Sequence, residues 1–346
     1  MKRSRKYRTW AVLLFLFTAV ATPAPRIFRL AFPVATALAI VTLPALAQSY
    51  PGKPIRILMP FSTGGTDLVT RWLALKLSPA VGQQVVPEPR TGAGGNIAHE
   101  ILAKSAPDGY TLMMAAPPVA INPNLYSKVS FDPFHDFAPI ALVATIPTLL
   151  VAHPSVPAKN LRELVQIART RPGKLAYASG GVGSTPHLSG ELLKSITGTH
   201  IVHVPYKGGA LGLVGAMSGE VDIVFTTMSS AAAAYVNGGK MRGLAVLDSK
   251  RVASIPQVPT SGEAGIPQLV SVNWYMLVAP AGTPREIVER LNAESVKIMQ
   301  TPETRERLVV VGGEPAVSTP EQAGRFLREE HARWGKVIRD AGIRAE

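Results

Sequence analysis

From residue 50 onward, short apolar runs alternate with stretches whose apolar positions recur at three- and four-residue spacing. The first pattern suits buried strands and the second amphipathic helices. Residues 53–59 read as a strand and 68–77 as a helix, joined by the polar turn Phe61-Ser-Thr-Gly-Gly-Thr-Asp67. Residues 84–88 form a second strand, the glycine-rich segment 90–96 opens a helix over 97–105, and 110–115 is a third strand that runs out into a loop over 116–124. The long apolar stretch 137–152 holds two strands with a break at Pro147 and is expected to cross between domains.

A second block repeats the alternation. It has a helix over 160–169 with Asn160 as N-cap, a strand over 175–179, a glycine loop over 180–186 and a helix over 187–197. A strand over 201–205, a glycine-weakened helix over 212–218, a strand over 221–225, a helix over 231–237 and a strand over 244–247 follow. Residues 271–279 are expected to cross back. Helices then begin near Pro284 with Thr283 as N-cap, at Pro302, and at a Thr319 capping box that leads to about residue 341. This alternation predicts an α/β chain with mainly parallel sheets covered on both faces.

Two turns share one grammar. Residues 61–67 and 180–186 each carry a strand into a helix through glycines, and they lie in different blocks. Such a turn offers unpaired first-turn N–H groups at the positive end of a helix dipole, which suits an anion. Facing one another, the two turns make a cleft outside the carboxyl ends of the strands, where α/β sheets hold ligands.

Residues 1–47 break the pattern. A basic segment over 2–8 leads into an apolar run over 10–21, and a second run over 30–47 closes on Ala45-Leu-Ala47, an A-x-A cleavage pattern. Pro23, Pro25, Pro33 and Pro44 interrupt these runs, which makes them poor membrane spans. A cleaved export signal is expected. An uncleaved anchor is the alternative, and Arg26-Ile-Phe-Arg29 would serve as the basic region of a leader that started downstream.

That leader also changes the reading of charge. The net +13 over 346 residues includes seven basic residues and no acid before residue 48; the remainder has 29 basic against 23 acidic residues, a net +6. With no Lys/Arg stripe among aromatics, nucleic-acid binding is not expected. The 47% hydrophobic content excludes a disordered chain, and the length accommodates two domains. Zero cysteines exclude disulfides, thiolate metal sites and a cysteine nucleophile.

Catalytic signatures fail on spacing. Gly92-Ala-Gly94 is followed by Ile97 where a dinucleotide fingerprint needs glycine or alanine, and His99-Glu100 does not continue as a zincin helix. Ser184 lies outside a G-x-S-x-G elbow. An exported hydrolase using Ser184, His187 and Asp67 is the rival reading. The plainer one makes Ser184 a helix cap, His187 a first-turn residue and Asp67 a brace for its own loop. The histidines are not at ligand spacing, so neither metal nor cofactor is expected.

Several blocks carry a resemblance: Tyr50-Pro-Gly-Lys-Pro-Ile-Arg56, Pro60-Phe61 with Gly64-Gly65 and Asp67, Arg90-Thr-Gly-Ala-Gly-Gly-Asn-Ile97, and Ala106-Pro-Asp-Gly-Tyr-Thr-Leu112. They continue through Ile121-Asn-Pro-Asn-Leu-Tyr126, Asp136-Phe-Ala-Pro139, Tyr177-Ala-Ser179, His203-Val-Pro-Tyr-Lys-Gly208, Ala279-Pro-Ala-Gly-Thr-Pro284 and Ala341-Gly-Ile343. In order and spacing, residues 50–343 resemble the Bug-type periplasmic solute receptors of tripartite tricarboxylate transport systems.

The resemblance implies a two-lobed, type II Venus-flytrap fold with a mainly parallel sheet in each lobe and crossing strands as hinge. One lobe comprises 48–150 and 272–346, and the other 151–271. It implies a monomeric, non-enzymatic periplasmic protein, cleaved near Ala47, that closes on a di- or tricarboxylate or an aromatic acid and passes it to inner-membrane transporter subunits. Ligand contacts are implied at Phe61, Gly64, Gly65, Thr66 and Asp67, at Ser179, Gly183, Ser184 and His187, and at Ala116 and Pro117. Two departures stand out. Thr63 replaces the family's usual proline in a turn one residue shorter, and Thr226-Thr227 replaces an acidic or amide residue, which argues against an amino-acid ligand.

Overall fold

The computed structural model describes residues 50–345. The expected leader and its cleavage point lie outside them. Residues 50–345 hold together as one compact unit.

The first block runs β1 (Ile55–Met59), α1 (Gly64–Val81), β2 (Val85–Pro89), α2 (Asn96–Ala103), β3 (Thr111–Ala115) and α3 (Pro118–Leu125). Strand β4 (Phe137–Ala152) leads into α4 (Leu161–Thr170), β5 (Ala176–Ser179), α5 (Thr185–Thr197), β6 (Val202–Pro205), α6 (Gly209–Met217), β7 (Ile223–Thr227), α7 (Ser230–Asn237) and β8 (Arg242–Val246). Strand β9 (Val272–Pro280) returns to α8 (Arg285–Met299), α9 (Pro302–Val309), β10 (Glu314–Pro315) and α10 (Pro320–Asp340).

The strands follow the order β2-β1-β3-β9-β4-β7-β5-β6, with β10 and β8 also paired to β4. Strands β1, β2 and β3 are parallel at one end, and β7, β5 and β6 are parallel at the other. Antiparallel β9 and β4 join the two groups. This is the two-lobed arrangement expected from the sequence, with crossing strands between two parallel sheets.

The helices form for legible reasons. In α4, Leu161, Leu164, Val165 and Ala168 are buried at helical spacing, and the Asn160 side chain accepts from Glu163 N–H as N-cap. Thr319 and Gln322 close a capping box on α10. Strand β3 is buried throughout, as a central strand covered on both faces must be.

Four expectations need correction. Residues 137–152 form one strand, not two: β4 pairs with β9 up to Pro147 and with β7 and β8 from Thr148 onward, so the proline marks a change of partners. Residues 116–124 are largely helix α3, because its prolines at 117 and 118 fall in the first turn, where no N–H is needed. Thr283 does not cap α8; its hydroxyl donates to Pro280 O at 2.8 Å, and Pro284 occupies the cap position. Helix α1 begins at Gly64, four residues before its expected start at 68.

Candidate functional site

That earlier start defines the first half of the site. Thr63 is extended and provides no side-chain cap, and Gly64 turns the chain at φ 71° into the helix. Gly64, Gly65, Thr66 and Asp67 are therefore the first helical turn, whose N–H groups have no intrahelical acceptor. Gly65 rests against the crossing strands: a Cβ there would lie 2.0 Å from the Tyr275 hydroxyl oxygen and 2.9 Å from Ile146 Cδ1. Thr66 is buried. The Asp67 carboxylate accepts from Arg71 Nε at 2.7 Å, so it braces the first turns of α1 where a brace for the loop was expected. Phe61 is half-buried against the core beside Gly95. Ala116 and Pro117 sit at the β3 exit, both buried, with their carbonyls accepting N–H groups of α3.

The second half lies at the aligned exits of β5, β6 and β7. Ser179, the loop through Gly183 and Ser184, His187 and Thr226 all come together here. A Cβ at Gly180 would lie 3.2 Å from Gly209 N, and one at Gly181 would lie 3.2 Å from Tyr206 O, so the loops after β5 and β6 pack backbone to backbone. Thr226 Oγ1 stands 3.6 Å from the Cβ position of Gly209. Gly183 has φ 78°, and a Cβ there would lie 2.3 Å from Leu125 Cδ2 at the end of α3. The glycine loop thus reaches the first sheet's own helices. Behind this contact, Leu188 of α5 packs with Ile121 and Leu125 of α3 and Trp334 of α10.

Polar groups beneath the loop form a buried network. Ser184 caps α5: its Oγ accepts from His187 N–H and donates to Gly181 O at 2.7 Å. His187 Nδ1 accepts from Gly183 N–H at 3.1 Å, which fixes the proton on Nε2. The imidazole stacks on His203 at 4.0 Å, and His203 Nε2 hydrogen-bonds Ser179 Oγ at 2.7 Å. Tyr177 stacks on His203 and donates to buried Glu191, which also pairs with Lys194. Burial, helped by Lys194, pushes His187 down to about 4. Burial, then the neighbouring His187, pushes His203 down to about 3. Burial and the Glu191 charge raise the Tyr177 phenol. Both imidazoles are thus neutral near pH 7, and the Gly183 N–H and the Ser179 and Ser184 hydroxyls are engaged within this network, which fixes the shape of the loop above it.

Sequence reasoning did not assign His203 or Tyr275 to the site. The signal for His203 was its place two residues before the end of a strand parallel to β5; Tyr275 carried no local signal. A Ser-His-Asp relay is not assembled. Among the described residues, no hydrogen bond joins Ser184 Oγ to the His187 ring, and Asp67 is engaged by Arg71. No group of His, Cys, Asp or Glu among the described residues is placed to hold a metal ion.

Comparison with known proteins agrees with this fold. Residues 69–343 match the family described as tripartite tricarboxylate transporter family receptor. Protein BugT of Bordetella pertussis is 35% identical over 311 residues, which span 89% of this chain and 95% of BugT. An R. palustris protein solved with adipate superposes with a TM-score of 0.76 at 36% identity, over 85% of this chain and 99% of that one. MatC from Rhodopseudomonas palustris with bound malate superposes with a TM-score of 0.70 at 32% identity, over 84% of this chain and 100% of MatC. With a matched model over most of its length, two parallel sheets joined by crossing strands and glycine turns at their exits, the chain belongs to the Bug-type receptor family of tripartite tricarboxylate transporters.

Proposed function

We propose that this chain is a periplasmic binding protein that captures a small carboxylate between its two sheets and delivers it to a membrane transporter. The observation that carries this reading is the pair of helix starts at strand exits, α1 at Gly64–Thr66 on one sheet and α5 at Thr185 on the other, whose first-turn N–H groups have no intrahelical acceptor. An anion held by oriented N–H dipoles and hydroxyls needs no buried counter-charge. The structural relatives solved with adipate and malate point to the same ligand chemistry.

In this reading, Phe61, Gly64, Gly65, Thr66 and Asp67 with Ala116 and Pro117 form one jaw. Ser179, Gly183, Ser184, His187 and Thr226 form the other. The lobes comprise 48–150 with 272–346, and 151–271, and they close by bending at the crossing strands. No enzymatic step is required, because capture and release suffice.

Thermal unfolding of the purified protein with a panel of malate, succinate, adipate, citrate and benzoate tests the reading. At about one hundred times Kd, the matching acid is expected to raise Tm by about 5 °C. A flat response to every acid would sink it. Mass spectrometry of the exported protein is expected to show a mature chain beginning at Gln48. A chain that retained residues 1–47 would favour the anchor instead.

A further inference from the structure

The phenol of Tyr275 stands where the crossing strand meets the start of α1. Tyr275 lies on β9 opposite Ala144 of β4 and is only 4% exposed. Its neighbour Trp274 is fully buried too, and its indole N–H donates to Glu330 at 2.9 Å. The Tyr275 hydroxyl makes no hydrogen bond to any described residue. The ring is buried while its unpartnered hydroxyl remains free to meet a ligand.

The hydroxyl points at the open end of α1. It is the nearest atom to the Cβ position of Gly65, so glycine alone leaves it room beside that helical turn. Thr63 does not cap this terminus, and the one acid of the turn, Asp67, is occupied by Arg71. Burial raises the phenol's pKa, which keeps its proton in place as a donor. A first turn of free N–H groups and a protonated, unpartnered hydroxyl therefore converge on one spot.

We propose that Tyr275 is a specificity-determining residue of this receptor, donating a hydrogen bond to the ligand carboxylate seated at the N-terminus of α1. The assignment rests on the carboxylate reading given above. It makes the crossing strand part of the binding surface, so a ligand at α1 contacts the element that bends on closure. It also makes Gly65 a spacer: any side chain there displaces the phenol.

Tyr275→Phe in the full mature chain tests this. Removing an unpartnered hydroxyl is expected to leave the acid-free Tm unchanged or slightly higher. The Kd for whichever of malate or adipate most stabilises the wild type is expected to rise about tenfold or more, the loss of one hydrogen bond to a charged group. A Kd unchanged within about twofold overturns the assignment while the carboxylate reading stands. A marked fall in acid-free Tm, or failure to fold, overturns it too, because the hydroxyl would then have a structural partner. If no acid shifts the wild type, the carboxylate reading fails and takes the assignment with it. Gly65→Ala provides the mirror result, weakening the same acid by pushing the phenol aside.

Discussion

Replacing Glu330 by leucine is expected to lower the unfolding free energy by about 3–5 kcal/mol. Glu330 of α10 is only 6% exposed, and its Oε2 accepts from two indoles at 2.9 Å each, Trp274 Nε1 and Trp334 Nε1. Both indoles are fully buried. Arg333 completes the charge balance, reaching Glu330 Oε1 at 3.2 Å and the carbonyl of Val270. Leucine fills similar space but leaves two N–H groups orphaned in the core and the guanidinium without its carboxylate. Glutamine, whose amide oxygen still accepts from the indoles, should recover a large part of the loss. Urea unfolding of the wild type and both variants measures this; a loss under about 1 kcal/mol for leucine would contradict it. The network also bears on function, because it pins the last helix to β9 one residue from Tyr275.

Alternation of strands and helices was legible because each element buries one face or stripe, and that leaves a local period in the chain. What escaped was decided at a distance. Pro147 reads as a strand break, since proline withdraws a ladder donor. Here the strand continues, because the proline falls where β4 leaves β9 and meets β7 and β8; its carbonyl still accepts from Met228 N–H at 2.9 Å. The proline- and asparagine-rich segment after β3 reads as loop. It folds as α3 because Ile121 and Leu125 pack on Trp334 and Leu188, and because Asn122 donates to Gly94 O at 3.0 Å and Asn96 Oδ1 at 2.6 Å. Propensity lost to tertiary contact there.

The site divides along the same line. Its glycines were visible because a left-handed turn such as Gly183, or a close approach such as Gly65, demands glycine at that position. The capping role of Ser184 was visible for the same reason, being an exchange between neighbours three residues apart. The partners of those residues were not. His187 meets His203 only because β5 and β6 are adjacent, and Gly65 meets Tyr275 only because β9 returns beneath α1. A single sequence exposes the turns of a candidate cleft well and the side chains that face them poorly.

Acidification from pH 7 to pH 5 is expected to destabilise the protein steeply, before its carboxylates begin to protonate. Burial holds His99, His187 and His203 well below the ordinary histidine value of 6.5: His187 is pushed down to about 4, and His99 and His203 to about 3. In the unfolded chain these groups take up protons near pH 6.5, whereas in the folded chain they resist until far lower. Their contribution is thus complete above about pH 6.5 and is lost as pH falls through 6.5 towards the folded values. Each fully buried imidazole accounts for at most about 1.4 kcal/mol per pH unit, and half-buried His203 for less. Their sum is about 3 kcal/mol per unit, against a total stability of about 5–15 kcal/mol. His135, paired with Asp132 on the surface, shifts the other way but is fully exposed and offsets little. His99 isolates the effect. It is fully buried, its ring lies 4.7 Å from Phe131 and 6.5 Å from Phe137, and neither nitrogen has a hydrogen-bond partner among the described residues. His99→Leu is therefore expected to stabilise the fold by about 1–2 kcal/mol at pH 7 and to flatten the decline below pH 6 by one proton's worth. Urea midpoints across that range read both effects at once. A variant whose slope matched the wild type would mean that His99 accepts its proton inside the fold.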